Sequence, residues 1–214
     1  TNASNAPRER RVVDLSLKPS YMNPGIAPVY EPLALGSVHP GQVLVGYVHQ
    51  VTPDGLWVLL SPTLRGRMFV LEATDAVSEL RTFVDRFRIG TAHRFAVLRV
   101  DPERSQLDLS LKLASSAGND ANEVSVAGHA FKEGMVVPGR VVKTLPGRGV
   151  LFQLDSHTYG VAGLTDLFDT FPKTPLAHFR TGAIFACAVV SVTPAGEEGS
   201  GEKIALSLRR SRVG

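Results

Sequence analysis

The chain has 214 residues, 43% of them hydrophobic and 20% charged, with a formal charge of +3 and a pI of about 9.2. That balance excludes wholesale disorder and leaves room for one or two packed domains. No apolar run approaches the ~18 residues a membrane helix needs, no secretory leader is visible, and the mild basic excess permits a nucleic-acid partner without demanding one.

Taken in chain order, residues 12–17 read VVDLSL, a strand-like phrase within the first 18 residues. Residues 19–36, PSYMNPGIAPVYEPLALG, are Pro-rich and read as an extended linker. A β-rich unit follows at 37–113. It opens with PGQVLVGYVHQVTPDGLWVLL from position 40, two strand patterns joined by a Pro-Asp-Gly turn. Along it Val48, Val51, Val58 and Leu60 alternate inward, while Tyr47, His49, Trp57 and Leu59 face outward. RGRMFVLE at 65–72 supplies a third strand. TDAVSELRTFVDRFRIG at 74–90 carries Val77, Leu80, Phe83, Val84 and Phe87 at helical spacing, with Thr74 or Asp75 to cap its start and Gly90 to end it. This predicts a helix that plugs one end of the unit. HRFAVLRVD at 93–101 and QLDLSLK at 106–112 give the fourth and fifth strands.

Residues 114–128, ASSAGNDANEVSVAG, read as a second linker, and the five-strand pattern then repeats at 129–212. EGMVVPGRVVKTLPGRGVLFQL begins at 133, YGVAGLTD at 159, AIFACAVVSV at 183 and KIALSLRRS at 203. The insert between the third and fourth strands, LFDTFPKTPLAHFRTG, holds two prolines that allow only short helical turns. The single cysteine, Cys187, lies in the apolar fourth strand. It cannot form an internal disulfide and reads as a buried thiol in a reducing compartment.

The phrase LSL thus closes both units, at Leu109 and Leu206, and stands a third time at Leu15. The first copy is expected to be the last strand of a preceding repeat, which makes the chain, opening on Thr1, a slice of a longer tandem array. Five short strands bounded by turns, in about 80 residues, close naturally into a small OB-type barrel without exposed edges. The expectation is all-β: two such barrels, each with a short helical insert between strands 3 and 4.

The order G-x4-G-x-V, G-x-aromatic-V, G-R, V-D-P-E-R and L-S-L-K resembles the S1 RNA-binding domain, and nearly the whole chain is covered by two such units. LWVLLSPTLRGRMF, DAVSEL and FRIGTAHRFAVLRVD in the first unit, with DTFPKTPLAHF and LSLRRSR in the second, are similar to the tandem-S1 pre-ribosome assembly factors of eukaryotes. That family is known as ribosomal RNA processing protein five, or programmed cell death protein eleven in animals. The resemblance implies a nucleolar, non-catalytic factor that contacts precursor ribosomal RNA, other assembly factors and neighbouring S1 repeats.

S1 domains bind single strands on the face of their middle strands, where rings stack on bases and cations track phosphates. The resemblance places Trp57 at the aromatic position after the second-strand glycine and Phe69 where many members carry a histidine. Tyr47 falls beside them, and Arg65 and Arg67 flank Phe69. Arg104 lies near the basic position of the last turn, although the family's arginine itself aligns with Gln106, and Asp54 stands where a further aromatic is common. The same rings read equally as packing residues, and the arginines as a solvated pair. In the second unit Leu151 replaces the aromatic and Gly163 the histidine. That leaves Arg140, Lys143 and Arg148 as candidate phosphate contacts, while Phe152 should point inward.

Enzyme motifs are wanting. LPGRGV at 145–150 lacks the remaining elements of a phosphate loop. His39, His49, His93, His129, His157 and His178 show no zinc spacing, and no cofactor or metal is implied. Two functions of different class remain: an RNA-binding pair of repeats, or a protein scaffold with little RNA affinity. Nine Lys and Arg against eight Asp and Glu in 37–113, and ten against seven in 129–212, make neither unit a strong electrostatic funnel.

Overall fold

The computed structural model describes residues 33–117, 121–126, 131–170, 172–193 and 203–213, with the isolated positions 15, 17 and 22. The expected strand at 12–17 and residues 19–32 of the expected linker at 19–36 therefore lie outside the described residues, those isolated positions apart. Residues 33–214 form one compact unit holding two barrels.

The first barrel is built from β1 (Val43–Thr52), β2 (Gly55–Leu59), β3 (Arg65–Phe69), β4 (Ala92–Asp101) and β5 (Gln106–Ser110). The strands close in the order β1-β2-β3-β5-β4, antiparallel throughout except for the parallel pair β3–β5. Strand alternation fills it. Val48, Leu56, Val58, Met68, Phe95, Val97, Leu107 and Leu109 are buried, and burying each stabilises the fold by about 1.5–3 kcal/mol relative to exposure. The Pro53-Asp54 turn ends at Gly55, whose φ is +149°. A Cβ there would stand 2.0 Å from the Met68 carbonyl oxygen, so the close approach of β3 to the start of β2 needs a glycine. Bulges at Val48/Gln50 and at Val97/Arg99 let the long strands coil enough to close the ring.

The insert differs in detail from the single helix expected. It forms two short helices, α1 (Val77–Arg81) and α2 (Phe83–Arg86), parted at Thr82. The Thr82 hydroxyl and backbone N–H both donate to the Glu79 carbonyl, which tightens the turn and redirects the chain. Neither Thr74 nor Asp75 caps α1: its N-cap is Ala76, and the Thr74 hydroxyl accepts instead from the Ala76 N–H. Leu80, Phe83 and Phe87 are buried as expected, whereas Val84 is exposed. Arg86 reaches back to Glu79, and its hydrogen bond and charge hold that carboxyl below the usual carboxylate range.

After β5 comes α3 (Leu111–Ser116), capped by the Ser110 hydroxyl, which accepts from the Leu113 N–H. Residues 121–126 then run beside the start of β1. Val43 donates to the Asn122 carbonyl and Val124 to that of Gly41.

The second barrel repeats the first with β6 (Val136–Leu145), β7 (Gly149–Gln153), β8 (Tyr159–Gly163), β9 (Ile184–Thr193) and β10 (Lys203–Ser207), closing as β6-β7-β8-β10-β9. Gly149 repeats Gly55, with φ +142° and only 1.9 Å from a would-be Cβ to the Ala162 oxygen. A 3-10 turn, Leu164–Asp166, leads from β8 into the insert, and within it a second, Pro175–His178, is short as the insert's prolines require. Phe152 points inward and stacks edge-on against Phe179 and Phe185. Cys187 lies in this core, and burial pushes its thiol up to about 12.

Polar and apolar contacts join the barrels. Ile184, at the start of β9, belongs to the first barrel's core cluster together with Leu80 and Phe83. Arg140 on β6 pairs with Asp54, and His157 in the β7–β8 loop pairs with Asp108 on β5.

Candidate nucleic-acid interface

Strand register brings four candidate residues of the first barrel, Tyr47, Trp57, Arg65 and Arg67, onto one outer face. Gln50, Trp57, Arg67, Asp108 and Arg99 are successive cross-strand neighbours on β1, β2, β3, β5 and β4. A second row, Tyr47–Leu59–Arg65, runs beside it. Adjacent strands are about 4.8 Å apart, so Trp57 and Asp108 stand about 10 Å from one another across the sheet. Tyr47 is 57% exposed and Trp57 37%. Arg65 is exposed and Arg67 half-buried. Two rings open to solvent beside two guanidinium groups are the parts a single-strand site needs.

Phe69 does not join them. It is 1% exposed and belongs to the core cluster that contains Leu80, Phe83 and Ile184. Strand alternation alone would put it on the outer side with Arg65 and Arg67. But β3 ends there and passes into the 3-10 turn Val70–Glu72, which is itself buried. The ring is therefore a packing residue, and the expectation that it offers a face to a base is corrected. Arg104 is exposed in the β4–β5 turn, off the row, with its backbone N–H on the Asp101 carboxylate at 3.2 Å.

In the second barrel the matching row is Lys143–Leu151–Val161–Ala205–Ser191. Aliphatic side chains stand where the first barrel has a ring and an arginine. Lys143 and Arg148 are exposed. Arg140, expected to track phosphates, is engaged otherwise: its side chain is 19% exposed and its guanidinium pairs with Asp54 across the barrel junction. Asp54, the departure from the family's aromatic, is thus the partner that takes Arg140 out of the solvent.

Arg99, Asp108 and His157 were not among the sequence candidates. Asp108 follows from strand alternation, lying between the inward-facing Leu107 and Leu109, whereas Arg99 has the parity of the inward-facing Phe95 and Val97 and is turned outward by the bulge at Val97/Arg99. His157 carries no local signal, because only the packing of the second barrel brings it to Asp108, at 3.0 Å.

A five-stranded barrel closed in the order 1-2-3-5-4, with its third and fifth strands parallel, defines the S1 class of OB-fold domains, and the chain carries two in tandem. Residues 38–111 match the RRP5 S1 domain family, and the chain is an RRP5-like S1 protein. It is 31% identical over 189 residues to rRNA biogenesis protein RRP5 of Arabidopsis thaliana, a match covering 81% of this chain and 10% of the relative. Protein RRP5 homolog of Homo sapiens is 27% identical over 215 residues, 95% of this chain and 10% of that one. The chain therefore spans about a tenth of the length of these relatives.

Proposed function

We propose that these barrels are non-catalytic S1 repeats of a nucleolar factor for pre-ribosomal RNA processing and ribosome assembly, and that the first barrel contacts the RNA. The observation that carries this is the outer face on which Tyr47, Trp57 and Arg65 stand exposed beside the half-buried Arg67. The names of the curated relatives, rRNA biogenesis proteins, support the assignment of process. Further assembly factors and neighbouring S1 repeats are the expected protein partners. The second barrel favours a scaffolding share of the work, since its Leu151–Val161–Ala205 strip lacks a ring and an arginine.

Fluorescence anisotropy of a short labelled single-stranded RNA tests the reading. Truncating Trp57 to Ala should cost about 1–3 kcal/mol, the worth of one stacked base. If Arg65, Arg67 and Arg99 each neutralise a phosphate, log K should fall against log salt with a slope of about −2, roughly a twentyfold loss between about 50 and 200 mM. Wild-type affinity in the Trp57→Ala variant, or indifference to salt, would move the function to protein scaffolding.

A further inference from the structure

With Phe69 buried, the row that runs from Trp57 over Arg67 to Asp108 lacks a second ring within its own barrel. The second barrel supplies one. His157 sits in the loop between β7 and β8, and its Nε2 lies 3.0 Å from Asp108 Oδ2. The imidazole is held but not covered: the His157 side chain is 58% exposed, while that of Asp108 is 16% exposed. The loop itself is fixed from within. Asp155 Oδ1 accepts the backbone N–H groups of both His157 and Thr158, each at 2.6 Å, which locks the turn that presents the ring. A cleft of about 190 Å³ opens alongside, walled by Arg99 and Asp108 from the first barrel and by Ser156, His157 and Thr158 from the second.

We infer that His157 is a further base-stacking platform, continuing the row of Trp57 on the first barrel's face, so that a single RNA strand leaving Trp57 crosses the barrel junction and enters this cleft. Imidazole rings stack on unpaired bases as other aromatic side chains do. An acid on a phosphate path is ordinarily an obstacle, but Asp108 is spoken for. It is mostly covered, bonded to His157, and flanked in register by Arg67 and Arg99. Its part is to anchor the ring, while the two arginines, one on each side, meet phosphates. Serine and threonine hydroxyls in the cleft offer hydrogen bonds to base edges or to the ribose 2′-OH. The second barrel then contributes to RNA binding through its loop rather than through its own aliphatic face. It also follows that the first barrel alone holds a shorter stretch of RNA than the pair.

The inference rests on the RNA-binding reading above, and oligonucleotide length separates the two. The intact two-barrel chain is titrated into labelled oligouridines of about 4 and about 10 nucleotides, within the range of site sizes of single OB folds. Four proteins are compared: wild type, Trp57→Ala, His157→Ala and His157→Phe. The expectation is that Trp57→Ala weakens both RNAs. His157→Ala should weaken the longer RNA at least fivefold and leave the shorter within twofold, and His157→Phe, which keeps a ring but loses the bond to Asp108, should recover most of the loss. If His157→Ala leaves the longer RNA unaffected while Trp57→Ala weakens both, the inference is wrong and the RNA reading stands. Equal losses in His157→Ala and His157→Phe would mean that the residue acts only as a strut between the barrels, which also overturns it. If Trp57→Ala weakens neither RNA, the RNA reading fails and the inference falls with it.

Discussion

Replacing Phe69 by Ala distinguishes packing from binding at the position where the two readings of this ring diverge. The side chain is 1% exposed, within the cluster that joins Leu80, Phe83 and Ile184. Removing a ring from such a site loses its transfer free energy and leaves a cavity, together about 3–5 kcal/mol. In a cooperative unit of this size each kcal/mol lowers Tm by about 2–4 °C, so a fall on the order of 10 °C is expected. Trp57, at 37% exposure, has less to lose, and Trp57→Ala should melt within a few degrees of wild type. Circular dichroism melts of both variants, paired with RNA titrations well below either transition, give the comparison. Phe69→Ala should be unstable but bind; Trp57→Ala should be stable but bind poorly. A Phe69→Ala protein that melts with wild type and loses RNA affinity would refute the burial argument and return the ring to the surface.

Gly149→Ala should cost the second barrel at least about 2 kcal/mol, because φ +142° is strained for any side chain and the new Cβ would press on the Ala162 carbonyl oxygen; a denaturant midpoint unchanged from wild type would contradict it. Cys187 should resist thiol reagents at neutral pH until the protein unfolds, since burial disfavours the thiolate. Its folded value lies above the unfolded one, so its contribution is intact below pH 9.0 and is lost as pH rises towards about 12. Ellman titration with and without denaturant, and melts across that window, check both statements.

The barrels were legible because their signals are local. Alternation around Val48, Val58, Leu107 and Leu109, together with glycines at the turns, dictates strands that can bury one face only by closing. The positions of Trp57, Arg65 and Arg67 follow from the same period. What escaped the sequence has two sources: local choices at the ends of elements, and contacts distant in the chain. The helix over 74–90 splits at Thr82, whose hydroxyl competes for the Glu79 carbonyl, a choice that spacing does not reveal. Phe69 has the parity of a surface residue and is buried where its strand runs into the Val70–Glu72 turn. Arg140 looks free in the sequence and is taken by Asp54, 86 positions away. The same kind of long-range contact brings His157 to Asp108, 49 positions away.

Trp57 is the only tryptophan in the chain, so its emission reports on the proposed stacking site without a label. Titrating unlabelled single-stranded RNA while following that emission tests the central claim most directly. Stacking of a base on the indole predicts saturable quenching that tracks binding and weakens as salt is raised. RNA that binds, by an independent measure, while leaving the Trp57 emission unchanged would contradict the account.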